Sequence, residues 1–583
     1  MQFDIKSHIA ALFRGALEEV APEAAGTPIL LERPKQPEHG DLACNIAMQL
    51  AKKLRTNPRQ FAERLVLALR SQPDFARGYV DAVEIAGAGF INFRFSAKTK
   101  QAVVAQILGE GAAFGRGPPT GRKVQVEFVS ANPTGPLHVG HGRGAAYGAS
   151  VSNLLAFTGD HVQREFYIND AGRQMDILAT SVWLRYLESL GVTAAFPEDG
   201  YRADYVRSIA RDFADTHATR FKREAGALPA MAPGQDPDAA LDALIAATKS
   251  LLGEDWRELH RFALEAMLAD QKNDLGEFGV AYDRWFSEQS LFDSGEIERA
   301  IRTLDDRGHL HEKDGALWFR STAFGDEKDR VVRRENGQFT YFASDIAYHL
   351  NKFERGFDRL INVWGADHHG YIPRVKGALA ALGEDADRLT IALVQFAVLY
   401  RQGEKVAMGK RSGDFVTLRD LRKEVGNDAA RFFYVLRKSD QHLDFDLDLA
   451  KSQSNENPVY YVQYAHARVC SVFAQHGPAG APEAQGLAGA EIALLTNPRE
   501  LTLMLRLAEF PETVQTAARE MAPHSVAFYL RDLAADFHSY YNGERILVED
   551  ATLAKARLAL CAATRQVLAS GLALLGVGAP ERM

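Results

Sequence analysis

The sequence predicts a multidomain α/β and α protein: a Rossmann-like α/β unit between a small N-terminal α+β unit and an all-α C-terminal region. Three observations carry that expectation. A β-run, a Gly-rich loop and a small-residue helix follow one another from 124, the opening of a nucleotide-binding α/β fold. From about 450 onward the chain is helical and apolar-periodic. At 583 residues it also exceeds what a single core supports.

Composition bounds the function. The chain is 46% hydrophobic and 25% charged, ordinary for a globular protein, and no run of about 18 apolar residues predicts a membrane span. Ile5, Ile9, Leu12, Phe13 and Leu17 share one helical face, so the N-terminus reads as an amphipathic helix rather than an export leader. Cys44, Cys470 and Cys561 are scattered, form no zinc-ribbon spacing and suit a reducing cytoplasm. A net charge of −8 requires any nucleic-acid binding to use local basic patches.

Taken in order, the first helix leads through a Pro/Gly-punctuated loop into a second, and "YVDAVEIAGAGFINFRF" alternates as strands with Gly87 and Gly89 in a tight turn. "GRGPPTGRK" (115–123) reads as a linker and "VQVEFV" (124–129) as the first strand of the α/β unit. Residues 191–275 are polar and helical, an insertion within that unit. "GALWFRS" resumes the strands, and Asn336-Gly337 in "VVRRENGQFTYFAS" predicts a hairpin between two alternating runs. "RLINVWGADHHG" opens as a buried strand, and Asn427 or Asp428 is the expected cap of a helix that buries Phe432, Phe433, Val435 and Leu436.

"SANPTGPLHVGHGRG" (130–144) places His138 and His141 where the first strand meets the small-residue helix, at the sheet edge where α/β folds bind ligands. Free N–H groups of that helix would favour an anion, Gly140 lets a flat base approach the backbone, and both imidazoles could stabilise charge on a phosphate. Two other readings stay open. Asp367, His368 and His369 in "GADHHG" could complete a zinc site with the pair, or the histidines could be satisfied core groups.

"HVGH" within this stretch resembles the HIGH signature of class I aminoacyl-tRNA synthetases. The longer string, "REFYINDAGRQM" (164–175), "VWGADHHGYIPRVKGAL" and the closing "LLGVGAPERM" resemble the arginine-specific members in particular. The resemblance runs over essentially the whole chain. It implies a class I catalytic domain over 113–450, with its KMSKS-like loop at 405–413, between an N-terminal tRNA-contacting domain (1–112) and a helical anticodon-binding domain (451–583). It implies L-arginine, ATP with Mg2+ and tRNA(Arg) as what the protein handles, no tightly bound metal, and a cytoplasmic monomer with no membrane association. The implied HIGH region is Ala131, Asn132, Pro133, Thr134, Gly135, Pro136, Leu137, His138, Val139, Gly140 and His141.

By the same resemblance His138, His141 and Lys410 are catalytic, while Gly140, Gly142, Gly365, Asp367 and Met408 face ATP. Ala407 and Gly409 stand where the KMSKS motif has its first lysine and its serine, and Gly135 where many relatives carry a compensating lysine; Lys405 is a possible substitute. A planar, always charged guanidinium needs a carboxylate placed for paired hydrogen bonds. Carried over from the family, Glu127, Asn132, Tyr341, Asp345 and His369 hold the amino acid. Read alone, Asp345 behind Ser344 could instead be a helix-N-terminal acid, and Glu127 a structural ion-pair partner. Tyr460, Tyr461, Tyr464 and Arg468, following Pro458, offer stacking and cationic groups for tRNA, with core packing as the alternative for each tyrosine. A nucleotidyltransferase without tRNA and a non-catalytic tRNA-binding relative remain the competing functions. The first leaves the C-terminal helices idle, and the second does not explain the retained His138, His141 and Lys410.

Overall fold

The structure, a computed structural model, describes residues 5–34, 36–75, 78–229, 236–406, 416–476, 484–487 and 489–583. Its N-terminal unit is a four-stranded antiparallel sheet in the order 31–32, 42–44, 90–95, 80–86. Helices Ile5–Val20 and Pro58–Ser71 bury Ile9, Phe13, Phe61 and Leu65 against Phe93 of this sheet. The hairpin turns through Gly87 (φ 53°) and Gly89 (φ 135°); a Cβ at Gly89 would lie 2.9 Å from the Pro58 carbonyl oxygen. Helix Ala97–Glu110 follows, capped by Ser96. Its Val104 and Ile107 enter the core shared with the α/β unit and the C-terminal helices, and Gln101 donates to the Leu495 carbonyl (3.1 Å).

The central sheet is parallel throughout, in the order Leu389–Val394, Arg359–Gly365, Lys123–Glu127, His161–Ile168, Arg284–Ser287. Lys123–Glu127 connects to the neighbour on one side through helix Val139–Phe157, and the chain later returns to its other side. Ligands of open α/β sheets bind at such a reversal, beyond the strands' C-terminal ends, and here those ends carry the segments 128–138 and 366–371. Helix Val139–Phe157 is small-residue-rich because its backbone lies against the sheet, and a Cβ at Gly148 would fall 2.3 Å from Cγ of Phe128. Its other side reaches the C-terminal helices. Tyr147 donates to the Met521 carbonyl (3.0 Å) and Asn153 to that of Leu574 (3.1 Å).

The helices Arg173–Ser189, Asp204–His217, Pro237–Leu252 and Asp255–Glu277 form an inserted bundle with its own core around Trp183, Phe213 and Leu259. A three-stranded antiparallel sheet (Leu310–Lys313, Ala316–Phe319, Arg330–Arg333) follows. The expected hairpin is only half realised. Asn336-Gly337 does turn the chain, with Gly337 at φ 81°, but its second arm keeps a single bridge, Arg333 to Phe339. From Tyr341 the chain is helical to Glu354, because Phe342, Ala343, Ile346, Ala347 and Leu350 bury along one face at helical spacing. Asp345 therefore stands in the second turn of that helix, not at its start.

The C-terminal region packs helices Pro458–His476, Pro498–Ala508, Phe510–Glu520, Pro523–Gly543 and Ala551–Leu574. Asn427 and Asp428 do not cap helix Asn427–Val435; Gly426 (φ 84°) occupies that position. The Asp428 carboxylate is instead committed to the Gly578 N–H (2.9 Å) and the Gln463 amide (2.8 Å), which ties the chain's end to this helix. Among the described residues no helix is long and apolar enough to cross a membrane.

Candidate active site

Strand Lys123–Glu127 leaves the sheet through Val129 (φ 69°) and Ser130 (φ 43°), left-handed positions that non-glycine residues hold only when their surroundings demand it. Here the demand is visible. Ser130 donates to Oε1 of Glu127 (2.9 Å) and accepts the Tyr167 N–H (3.1 Å). The following loop is pinned from the inserted bundle: Gln271 donates to the carbonyls of Asn132 (3.0 Å) and Gly135 (2.9 Å), and Tyr205 to that of Thr134 (2.6 Å). Leu137, His138 and Val139 then run antiparallel to Val416–Leu418.

His138 is the N-cap of helix Val139–Phe157. Its Nδ1 accepts the Gly140 N–H (3.1 Å), and Nδ1 of His141 accepts the His138 N–H (3.2 Å), a reciprocal capping box. The two rings stack at 3.7 Å between centroids. With both Nδ1 atoms accepting, each ring carries its proton on Nε2 and presents an N–H donor. Burial, followed by the neighbouring His138, pulls the His141 pKa down to about 3, so this ring stays neutral through the physiological range.

This geometry decides between the sequence readings. The first-turn N–H groups expected for a phosphate are taken: Gly140 by His138, Val139 by the Val416 carbonyl (3.2 Å), His141 by the His138 carbonyl (2.9 Å). At the helix start the His141 ring, held through Nδ1, turns its Nε2–H outward. A metal bound through Nε2 would need the proton on Nδ1, where each ring accepts a backbone N–H. Both rings are partly exposed and so are not core histidines. Gly140 lies against the His138 ring and Phe396, and a Cβ there would stand 2.9 and 3.3 Å from them. Gly142 instead faces the protein, 2.7 Å from Leu418 and 2.9 Å from the Tyr434 hydroxyl, which donates to the Val139 carbonyl (2.7 Å).

On the other side of the sheet reversal lies a second half. Asp345 accepts a hydrogen bond from the Tyr371 hydroxyl, and burial raises its carboxyl to about 7 despite that bond. Glu288, just beyond strand Arg284–Ser287, is also buried and pushed up to about 7, chiefly by burial, with Asp345 adding to the shift. The Asn169 amide, turned to suit its partners, donates to Glu288 (2.7 Å) and lies 3.3 Å from the Asn132 side chain. The Tyr341 hydroxyl reaches over Gly172, 3.2 Å from where a Cβ would stand, with the ring half exposed. Glu127 is paired with the buried ammonium of Lys352. Its structural ion pair is thus real, and its charge nevertheless reaches Asp345, whose carboxyl it helps to raise.

Asp367 and His369 are exposed on the single-turn helix Ala366–Tyr371, with an Asp367 oxygen only 2.4 Å from where a Cβ at Gly365 would sit. Lys410 and Met408 lie outside the described residues; Lys405 is exposed beside Tyr400. Far from this site, Tyr460 and Tyr464 stack at 5.8 Å, and the Arg468 guanidinium lies 4.6 Å from the Tyr464 ring, forming one partly exposed face with Tyr461 against His538. Sequence reasoning missed Glu288, Tyr371, Lys352 and Phe396. No motif surrounds Glu288 or Lys352; the one available signal was Tyr371 and Phe396 following strand ends at the sheet reversal.

Comparison with known proteins closes the question of family. Residues 103–441 match the class I (R) tRNA synthetase catalytic domain, residues 7–95 the arginyl tRNA synthetase N-terminal domain and residues 462–583 the DALR anticodon binding domain. The chain belongs to the class I arginyl-tRNA synthetases. It is therefore an enzyme that joins arginine to tRNA at the expense of ATP. The arginine–tRNA ligases of Aromatoleum aromaticum and of an Azoarcus species are each 61% identical to it, over all of both chains. The crystal structure of a putative arginyl-tRNA synthetase from Campylobacter jejuni superposes with a TM-score of 0.74 at 32% identity, over 84% of this chain and all of that one. Thermus thermophilus arginyl-tRNA synthetase gives 0.74 at 25% identity over all of both.

Proposed function

We propose that L-arginine binds between helix Tyr341–Glu354 and the loop after strand Lys123–Glu127, with ATP across the start of helix Val139–Phe157. The observation that carries this reading is the pair Asp345 and Glu288. Both are carboxylates removed from water, and neither forms an ion pair among the described residues, so the pocket holds negative charge awaiting a cation. Asp345 and Glu288 take the guanidinium with Tyr341 beside it; Glu127, Asn132 and His369 take the α-amino and carboxylate end.

The arginine carboxylate attacks the α-phosphorus of ATP, the bond to the bridging oxygen breaks, and pyrophosphate leaves with the electron pair. Negative charge grows on the phosphate oxygens as this happens. His138 and His141 meet it with neutral, preoriented Nε2–H donors, and Lys410 with its ammonium. Gly140 and Phe396 face the adenine, Gly365 and Asp367 the ribose, and Met408 and Gly142 complete the nucleotide half, Gly142 by close packing of the helix. The 2′-hydroxyl of the tRNA 3′-terminal ribose then attacks the arginyl carbonyl and AMP departs. Magnesium enters with the nucleotide as part of the substrate.

The tRNA is tRNA(Arg), bound by an anticodon domain (451–583) through Tyr460, Tyr461, Tyr464 and Arg468 and by an N-terminal domain (1–112), with the catalytic domain over 113–450. We read the enzyme as a monomer. Three free thiols suit a reducing cytoplasm. The deciding experiment is Asp345→Asn. Removing one partner of a desolvated charge pair costs about 2–5 kcal/mol, so arginine KM should rise at least thirtyfold while ATP KM stays level. An unchanged arginine KM rejects the pocket.

A further inference from the structure

Lys352 lies on helix Tyr341–Glu354 two turns beyond Asp345 and is fully buried. A buried ammonium sheds its proton unless carboxylates and acceptors surround it. This one donates to Glu127 and to Oδ1 of Asn362 (2.8 Å), and sits 4.4 Å from the Tyr348 ring. The Asn362 amide donates in turn to Nε2 of His349 (2.8 Å), which therefore carries its proton on Nδ1 and donates it to the Asp345 carbonyl (2.7 Å). A line of hydrogen bonds thus joins the ammonium to the backbone of Asp345. No other ion-pair partner faces Glu127 among the described residues.

The remaining groups around this line are Glu288, Glu165, the hydroxyls of Tyr167, Tyr282, Tyr348 and Tyr371, and Asp170, which faces Glu288 and accepts from Ser287 (2.6 Å) and the Gln289 N–H (2.9 Å). Glu165 is matched by Arg355 and Arg284. His349 is neutral, its pKa lowered to about 3 by burial and by Lys352. With Asp345 and Glu288 ionised, as a bound cation holds them, Glu127, Asp345, Glu288 and Lys352 sum to two negative charges. Arginine brings two positive ones, on its guanidinium and its α-amino group, while its carboxylate is directed at ATP.

We propose that Lys352 is a positioning residue that sets the charge of the pocket. By sharing Glu127 with the arginine α-amino end it limits the negative charge that Asp345 feels from Glu127, and so fixes the pH at which arginine binds. The inference rests on the arginine-pocket reading. Asp345→Asn tests that reading separately, so the two can fail independently.

The test is equilibrium dialysis of radiolabelled arginine against the full chain from pH 5.5 to 9, with circular dichroism as the folding control. Lys352→Met exposes Asp345 and Glu288 to an uncompensated Glu127, and the pH midpoint of binding should move about one unit alkaline. Glu127→Gln removes the negative charge that raises Asp345, and the midpoint should move acid by up to about one unit. The double variant should return it close to the parent value while binding stays weaker. A packing role for Lys352 predicts loss of affinity with no opposed shifts, and that result overturns the proposal. If Lys352→Met does not fold, Glu127→Gln and the double variant still decide. The double variant must titrate alkaline of Glu127→Gln, and equal midpoints reject the inference.

Discussion

The two halves of the active site solve opposite electrostatic problems. In the proposed site the nucleotide half receives growing negative charge, and beside the Lys410 ammonium it offers stacked imidazoles locked by the backbone of their own helix turn. The amino-acid half must receive a permanent cation, and it does so with carboxylates pushed toward neutrality by burial. In the first half His141 is preorganised and stays neutral near neutral pH. The second titrates there, because burial moved it there.

Removing a donor from the nucleotide half should produce the largest effect. His141→Ala loses one preoriented Nε2–H and the cap on the His138 N–H, and kcat for arginine activation should fall about 10²–10³-fold with KM values for ATP and arginine near normal. A steep rise in ATP KM with kcat preserved would instead make the ring a ground-state ligand.

A pH series sharpens the contrast further. Guanidinium stabilises the ionised carboxylates, so protons compete with arginine once the pH falls below their value of about 7. Arginine KM should rise on the order of tenfold from pH 8 to pH 6. ATP KM measured over the same range should stay nearly level, because His141 is already neutral throughout. A parallel rise in both would erase the proposed difference between the halves.

The smallest effect concerns how the nucleotide half is held. Tyr434→Phe deletes the hydroxyl that donates to the Val139 carbonyl and keeps the ring that packs near Gly142. It should lower stability by about 1 kcal/mol, read by thermal or urea unfolding, with kcat reduced severalfold at most. A collapse of kcat at unchanged stability would show that this bond sets the orientation of the histidines.

By itself the sequence determined the strand, loop and capped helix around His138 and His141. Strand, loop, capping histidines and small-residue helix are consecutive in the chain, and their interactions span two to four residues, so spacing and residue type carry the geometry. It also announced Tyr341 and Asp345, whose four-residue spacing puts them on one helical face, although burial of Phe342, Ile346 and Ala347 started that helix earlier than local signals suggested. Only the tertiary structure brought in Glu288 and Lys352. Glu288 follows a short edge strand, and Lys352 reads in the sequence as an ordinary helix lysine. Their roles come from desolvation and from Glu127, more than two hundred residues away from Lys352 in the chain. Burial and long-range charge pairing are set by packing of the sheet against its covering helix, and no local pattern of residues encodes them.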